Sequence, residues 1–302
     1  MTFELCLVKV GGAALTDKSR PSTLADPKIL TTIASQLGTA FSTFSGTRKR
    51  LVIVHGVGSF GHPQAKKYNL SSGYDMENAS EDEKEYKVDG VVETRQSVMT
   101  LHQKVCDLFI AQGIPAISMS PFHYVRTLHT PKSTKPDAYI RLVEAVDRAL
   151  TLGYVPVLHG DAVLDDAQGC AILSGDVVIR ELARGLRAGP SPKYSLHNCT
   201  FLTDVNGVFD RDPKLTMDEP PHLIQSIKIS KYQVERMVNH SSSIDVTGAM
   251  TGKLQCAMNI VKDALEAGIE PIGQVIICRA ASADAMHVLC GQEADNRTVV
   301  EP

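Results

Sequence analysis

The 302-residue chain has little that would tie it to a membrane, a nucleic acid or a metal-stapled scaffold. No apolar run reaches the ~18 residues that a bilayer-spanning helix needs. The opening stretch MTFELCLVKVGG lacks the basic-then-apolar layout of a signal peptide and enters a strand at once. There is no CxxC pair and no Cys/His cluster. The seven cysteines (Cys6, Cys106, Cys170, Cys199, Cys256, Cys278 and Cys290) stand singly, which argues against a zinc or disulfide framework and reads as reduced packing residues. The expected location is therefore the cytoplasm. A net charge of only −3 gives no general attraction to nucleic acid or to an anionic membrane, so any anion must be captured by a local cluster. The chain has no internal repeat, no GxxxxGK(S/T) loop and no HRD or DFG set, so a P-loop or protein-kinase phosphate site is excluded. An apolar fraction of 43% and a charged fraction of 22% are those of a globular protein, with length for one large or two small domains.

What is present centres on HGVGSFGHPQAKKY, residues 55–68. It follows LVIV at 51–54, so it reads as a buried strand running into a glycine-rich turn and then a helix, the place where α/β proteins bind phosphate. Gly56, Gly58 and Gly61 allow close backbone approach, and His62 sits at the mouth of the helix.

Upstream, ELCLVKVGG (4–12) is a strand with Lys9 near its C-terminal end, beside Gly11 and Gly12. A lysine there is costly unless it meets an anion or snorkels from an edge strand. Lys18 lies in a polar turn before a helix over 26–41 with Asp26 as its cap, and with the strand at 51–54 this completes a parallel βαβ unit. Residues 69–84 read as an exposed loop, 85–112 as a helix, 114–119 as a strand, 121–136 as an irregular connection and 137–152 as a helix. YVPVLHGDAVLD is a strand ending in the turn His159-Gly160-Asp161, and a hairpin follows it. Ser174-Gly175-Asp176 opens a helix, and taken alone Asp176 reads as its N-terminal cap. The proline-bearing loop 187–198 is the expected seam between a lobe at 1–190 and one at 191–302, with a continuous sheet through both. Beyond it come a strand at 199–203, turns at Asp204/Gly207 and Asp212-Pro213, and a helix over 231–239. A helix over 251–267 has Lys253 in its first turn, where a cation opposes the macrodipole unless an anion is close. A strand in PIGQVIICRA and a helix near 282–290 close the chain.

In an open parallel sheet the glycine turns at 11–12, 56–61, 160 and 207 would emerge over one edge and bring Lys9, Lys18 and Lys253 together. Backbone N–H groups and ammonium groups in that arrangement suit a polyphosphate and a transferring phosphoryl group.

Three segments resemble the amino acid kinase superfamily: KVGGAALTDK its KxGGxxxTxK opening, TDVNGVFDRDP its TDVxGVYxxDP segment, and DVTGAMTGK its DxTGGMxxK segment. Within it, HGVGSFGHPQAKKY resembles the HGxGSFGHxxAxxY signature of the isopentenyl phosphate kinases. The resemblance implies a three-layer αβα sandwich around a mostly parallel open sheet, and ATP-dependent phosphorylation of isopentenyl phosphate, with dimethylallyl phosphate as a further acceptor. Mg²⁺ would accompany ATP with no dedicated protein ligands, and the working form would be a homodimer.

By the same resemblance Lys9 and Lys253 hold the ATP phosphates, with backbone from Gly11, Gly12, Ala13, Gly58, Gly248 and Ala249. Lys18 stabilises the transferring group, and Asp176 orients the two phosphate-binding lysines. Asp204 and Gly207 border the nucleoside, while Val57, His62, Gly160 and Asp161 border the acceptor, His62 gripping its phosphate. Ala13 replaces a common serine, Ala249 the second glycine of TGGM, and Val57 a glycine or alanine that would leave more room. An acyl-phosphate-forming or phosphonate kinase, or a non-catalytic nucleotide-binding protein on this fold, are the rival readings.

Overall fold

The computed structural model describes residues 2–131, 133–189, 191–211, 220–229, 234–237, 249–269 and 272–302. The chain begins with β1 (Phe3–Val10), a one-turn helix α1 (Gly12–Leu15), α2 (Pro27–Ser42) and β2 (Lys49–His55). Asp26 caps α2 as expected, accepting from Lys28 N at 2.7 Å with Pro27 next to it. Next come α3 (His62–Lys67), the 30-residue α4 (Glu81–Ile110), β3 (Ala116–Ser118), α5 (Ile140–Thr151) and β4 (Val155–His159). The hairpin of β5 (Asp161–Asp165) and β6 (Gly169–Leu173) stands apart from the main sheet and leads into α6 (Gly175–Gly185).

The second half contains β7 (Tyr194–Thr203), the short strands β8 (Val208–Phe209) and β9 (Leu223–Ile224), β10 (Ser226–Ile229) and β11 (Val234–Met237). It ends with α7 (Ala249–Glu266), β12 (Gln274–Arg279), α8 (Ala283–Leu289) and β13 (Arg297–Glu301). Nine strands form one sheet in the order β11-β10-β13-β12-β7-β1-β2-β4-β3. It is parallel throughout β12-β7-β1-β2-β4-β3, and antiparallel where β13 meets β12 and β11 meets β10.

Alternation along the strands divides the core. Leu5 and Leu7 of β1 pack with Val52 and Val54 of β2 under α5, α6 and α7. Cys6 and Val8, pointing the other way, pack with Leu51 and Ile53 under α2, α4 and α8. The result is the expected three-layer sandwich. Because β1 is flanked by β2 on one side and β7 on the other, chain direction diverges there, and the crevice over the C-terminal ends of these strands is the natural ligand site.

Three expectations need correction, and one strand went unanticipated. Helix α4 starts at Glu81 rather than 85: Ser80 accepts from Glu83 N at 3.2 Å, so polar residues that read as loop are a helix N-terminus. Strand β7 begins at Tyr194, within the expected loop, because the alternate residues Tyr194 and Leu196 are buried on a central strand. The backbone at 234–237 is a strand paired antiparallel with β10, not helix, and β13 was not anticipated. The Asp212-Pro213 turn lies outside the described residues.

The turns at the crevice nest backbone against backbone. A Cβ on Gly12 would lie 2.4 Å from Gly58 N, and one on Gly56 would lie 2.6 Å from Gly12 N. Neither neighbour is a side chain that could swing aside. Gly12→Ala should therefore destabilise the protein by about 1–3 kcal/mol in urea unfolding, and an unchanged midpoint would show that the turns are not packed this closely.

Candidate active site

Lys9 projects from the Leu5/Leu7 face of β1 and is almost fully buried, with Nζ 2.9 Å from Asp176 Oδ1. The approach is one of charges rather than a well-directed hydrogen bond. Asp176 is available because the cap of α6 is Ser174, whose hydroxyl accepts from Val177 N at 3.3 Å. The capping role that Asp176 suggests when read alone is thus filled by its neighbour. Across the crevice Lys253, half-buried at the fifth position of α7, which starts at Ala249, has its Cε beside Gly11. Burial first, and then the Lys9 ammonium, push its pKa down, while Asp176 and Asp204 pull it back.

Lys18 reaches from its turn to the end of β7, where its Nζ donates to Asp204 Oδ2 at 2.9 Å. Burial acts to raise the Asp204 carboxyl, but the Lys18 bond and charge outweigh it and the net shift is downward. Thr16 joins these turns: its hydroxyl donates to Gly12 O at 2.8 Å and accepts from Ser59 N at 3.0 Å. Gly58 sits there at φ +48°, with no room for a Cβ against that hydroxyl.

His62 is the first residue of α3 and lies open to solvent at the mouth of the crevice. Its pKa is lowered by the protein packed around the ring and then by Lys253, Lys9 and Lys18. The ring is neutral at pH 7 in the free protein, and a bound anion would offset the lysines and favour the imidazolium.

These groups share a cavity of about 740 Å³. Lys9, Lys18, His62, Asp176, Asp204 and Lys253 line it, and Gly12, Ala13, Val57, Gly58, Gly160, Asp161 and Gly207 form further parts of its wall. Gly11 stands behind that wall, its N–H donating to Leu202 O at 2.8 Å. Ala249 opens α7, and Gly248 lies outside the described residues. The cavity has a cationic end and an apolar end, the latter formed by Ala65, Val98, Ala162 and Ile172. Such a shape suits a phosphate ester with a short hydrocarbon tail.

Asp161 presents no free carboxylate. It accepts from Ser120 Oγ and Ala162 N, each at 2.9 Å, and Arg95 Nε lies 3.3 Å from Oδ1. Burial raises its pKa against the opposing pull of Arg95. Sequence reasoning missed Arg95, Ser120 and the cavity-lining Arg211, none of which lies in a glycine turn. It also gave Thr16 no role, although the T of KxGGxxxTxK marks it.

The amino acid kinase family model matches residues 4–269. The chain belongs to the amino acid kinase family. Its relatives within that family include isopentenyl phosphate kinases. The one from Arabidopsis thaliana is 32% identical, covering 96% of this chain and 92% of the relative. That from Methanothermobacter thermautotrophicus is also 32% identical, covering 88% and 90%. A crystal structure of isopentenyl phosphate kinase superposes with a TM-score of 0.72 at 28% identity, covering 99% of both chains. The sandwich is accordingly the amino acid kinase fold, with the glycine turns of that family at its crevice. Val57, a departure from the family pattern, turns a γ-methyl onto Gly61, at 2.5 Å from where a Cβ would sit. The glycine accommodates the larger residue.

Beneath this kinase site lie three buried imidazoles. His55 is held well below its usual pKa by burial and the other two rings, His102 is pushed down to about 3 and His159 to about 4, burial being the leading cause in each. An unfolded chain protonates such rings near pH 6.5, so below that pH the unfolded state binds more protons and stability falls. The loss should reach about 1.4 kcal/mol per pH unit for each ring until the folded pKa is met. Denaturant unfolding between pH 7 and pH 5 should show it, with a shallower slope in His159→Gln. An identical slope in that variant would mean that His159 is protonated in the folded protein.

Proposed function

We propose that this protein transfers the γ-phosphoryl group of ATP to isopentenyl phosphate, yielding isopentenyl diphosphate and ADP. The observation that carries the reading is the exposed His62 on a cavity that is lined by Lys9, Lys18 and Lys253 and also by the apolar Ala65, Val98, Ala162 and Ile172. A phosphate acceptor needs such a grip, and the relatives bear the name of this activity.

An oxygen of the acceptor phosphate, anionic at neutral pH, attacks the γ-phosphorus. The bond from that phosphorus to the β-bridging oxygen breaks, and its electron pair leaves with ADP. No general base is required, in keeping with Asp161, Asp176 and Asp204 each being engaged by a cation. Lys9 and Lys253 hold the β- and γ-phosphates, with Asp176 setting the position of Lys9 between the two negative partners. Lys18 follows the transferring group, and Asp204 holds it over the crevice before substrate arrives. Backbone N–H groups of Gly12, Ala13 and Gly58 complete the cradle, with Gly11 spacing the turn and Ala249 at the start of α7.

Gly207 borders the nucleoside side, whereas Val57, Gly160 and Asp161 form the acceptor wall. The acceptor site and the phosphate-binding glycine turns thus lie in residues 1–190, and the rest of the ATP site, with the nucleoside side and Lys253, in 191–302. Among the described residues no group of three or more His, Cys, Asp or Glu side chains is placed to hold a metal ion. On this reading Mg²⁺ enters as part of the MgATP substrate, held by phosphates and water. Dimethylallyl phosphate as a second acceptor, a homodimer as the working form and the cytoplasm as location belong to the same reading.

An ADP-release assay with isopentenyl phosphate, dimethylallyl phosphate and a panel of amino acids tests it. Turnover should be confined to the phosphate esters, and turnover with an amino acid alone would sink the proposal. His62→Ala should raise KM for isopentenyl phosphate at least tenfold, the loss of a hydrogen bond to a charged group, with ATP binding within about twofold of wild type. Lys18→Ala should lower kcat by about 10²–10³ with little change in either KM, and a purely KM effect would remove it from the transferring group.

A further inference from the structure

Two adjacent parallel strands, β2 and β4, end in the same dipeptide, His55-Gly56 and His159-Gly160, and the two histidines are register partners. Each ring folds onto the carbonyl of the glycine after it, with Nδ1 to O distances of 3.1 Å for His55 and 2.8 Å for His159. A third ring, His102 of α4, packs against both, its centroid 5.1 Å from that of His55 and 4.4 Å from that of His159. All three are buried, and both glycines line the cavity. The reaction moves no proton, so these rings have no acid or base work to do.

Their hydrogen bonds nevertheless have one direction. A carbonyl oxygen only accepts, so His55 Nδ1 carries the proton and donates to Gly56 O. Burial keeps the ring neutral, which leaves His55 Nε2 as an acceptor. The 2.9 Å contact to His102 Nδ1 then makes that nitrogen the donor, and His102 Nε2 accepts from the Ser118 hydroxyl at 2.8 Å. Donation runs from Ser118 to His102 to His55 to Gly56. In a planar trans peptide the N–H points opposite to the C=O, so with the Gly56 carbonyl turned to the ring, Val57 N–H is turned away from it. Among the described residues neither Val57 N–H nor Gly58 N–H has a protein acceptor, and both residues line the cavity in the turn that leads to His62.

We propose that His102 is a positioning residue for the acceptor phosphate: its donation to His55 locks the Gly56–Val57 peptide with the N–H presented to the anion that His62 grips. His159 braces the stack from β4. The inference rests on the acceptor-side reading given above.

Nitrogen NMR of histidine-labelled protein at pH 7 should find the proton on Nδ1 in both His55 and His102; finding it on Nε2 of either would overturn the relay. His102→Leu removes the donor and should raise KM for isopentenyl phosphate about tenfold, with KM for ATP within twofold. His102→Asn, whose amide nitrogen takes the place of Nδ1, should restore most of the loss. Equal losses in the two variants, or an equal loss on the ATP side, would refute the positioning role. Should His102→Leu fail to fold, a near-wild-type KM in His102→Asn together with the two tautomers supports the relay, and a tenfold loss in His102→Asn overturns it. If the wild type turns over no isopentenyl phosphate, the functional reading fails by itself. The relay is then read with inorganic phosphate by calorimetry: about tenfold weaker binding in His102→Leu sustains it, and unchanged binding ends it.

Discussion

Like charges facing one cavity repel, and the structure is arranged around holding Lys9, Lys18 and Lys253 together despite that repulsion. The buried Lys9–Asp176 pair is the centre of the arrangement. Lys9 comes from β1, an interior strand of the sheet, and Asp176 from the first turn of α6, so the pair joins two layers of the sandwich. Loss of one partner would strand a charge in a poorly solvated place, which is more harmful than never having buried the pair. The outer pair, Lys18 with Asp204, is solvent-exposed and contributes little to stability by itself. Its consequence is geometric: it draws the turn after α1 towards the end of β7, so that both sides of the crevice are held by charge.

Backbone packing makes the remainder of the site possible. Gly12, Gly56 and Gly58 bring two turns to van der Waals contact, and Thr16 ties them with one hydroxyl. Side chains at these glycines would part the turns and widen the spacing between Lys9 and His62. The buried imidazoles lie directly under this contact. They stay neutral because burial and mutual repulsion disfavour charge, so they serve as oriented dipoles rather than as additional cations beneath an already cationic floor.

Much of this was legible in the chain. Lysines beside glycines at strand ends, and a lysine at the start of a helix, are costly placements whose joint explanation is an anion. The parallel βαβ order followed from buried apolar runs alternating with amphipathic helices, and the family segments named the chemistry. Errors came where tertiary contact overrode local appearance. Tyr194–Asn198 looks like a polar loop, yet it opens a central strand because β1 pairs with it from Tyr194 and β12 joins on the other edge at Asn198. Glu81–Glu83 looks like exposed loop, yet it is the acidic first turn of α4. Arg95 and Ser120 carry no motif, and only the packing of α4 and of the segment after β3 behind the acceptor wall brings them to Asp161.

By itself, then, the sequence determined the fold class, the strand ends that carry the site and the set of charged residues that meet there, because periodicity and costly residue placements are local properties of a chain. Tertiary structure decided the pairings: that Ser174 caps α6 and leaves Asp176 to Lys9, that Asp204 holds Lys18, that Asp161 turns inward to Arg95, and that His102 reaches His55. Each of these joins residues far apart in the chain or chooses between neighbours with equal local claims. Only the packing of helices across the sheet determines which donor arrives within about 3 Å of which acceptor.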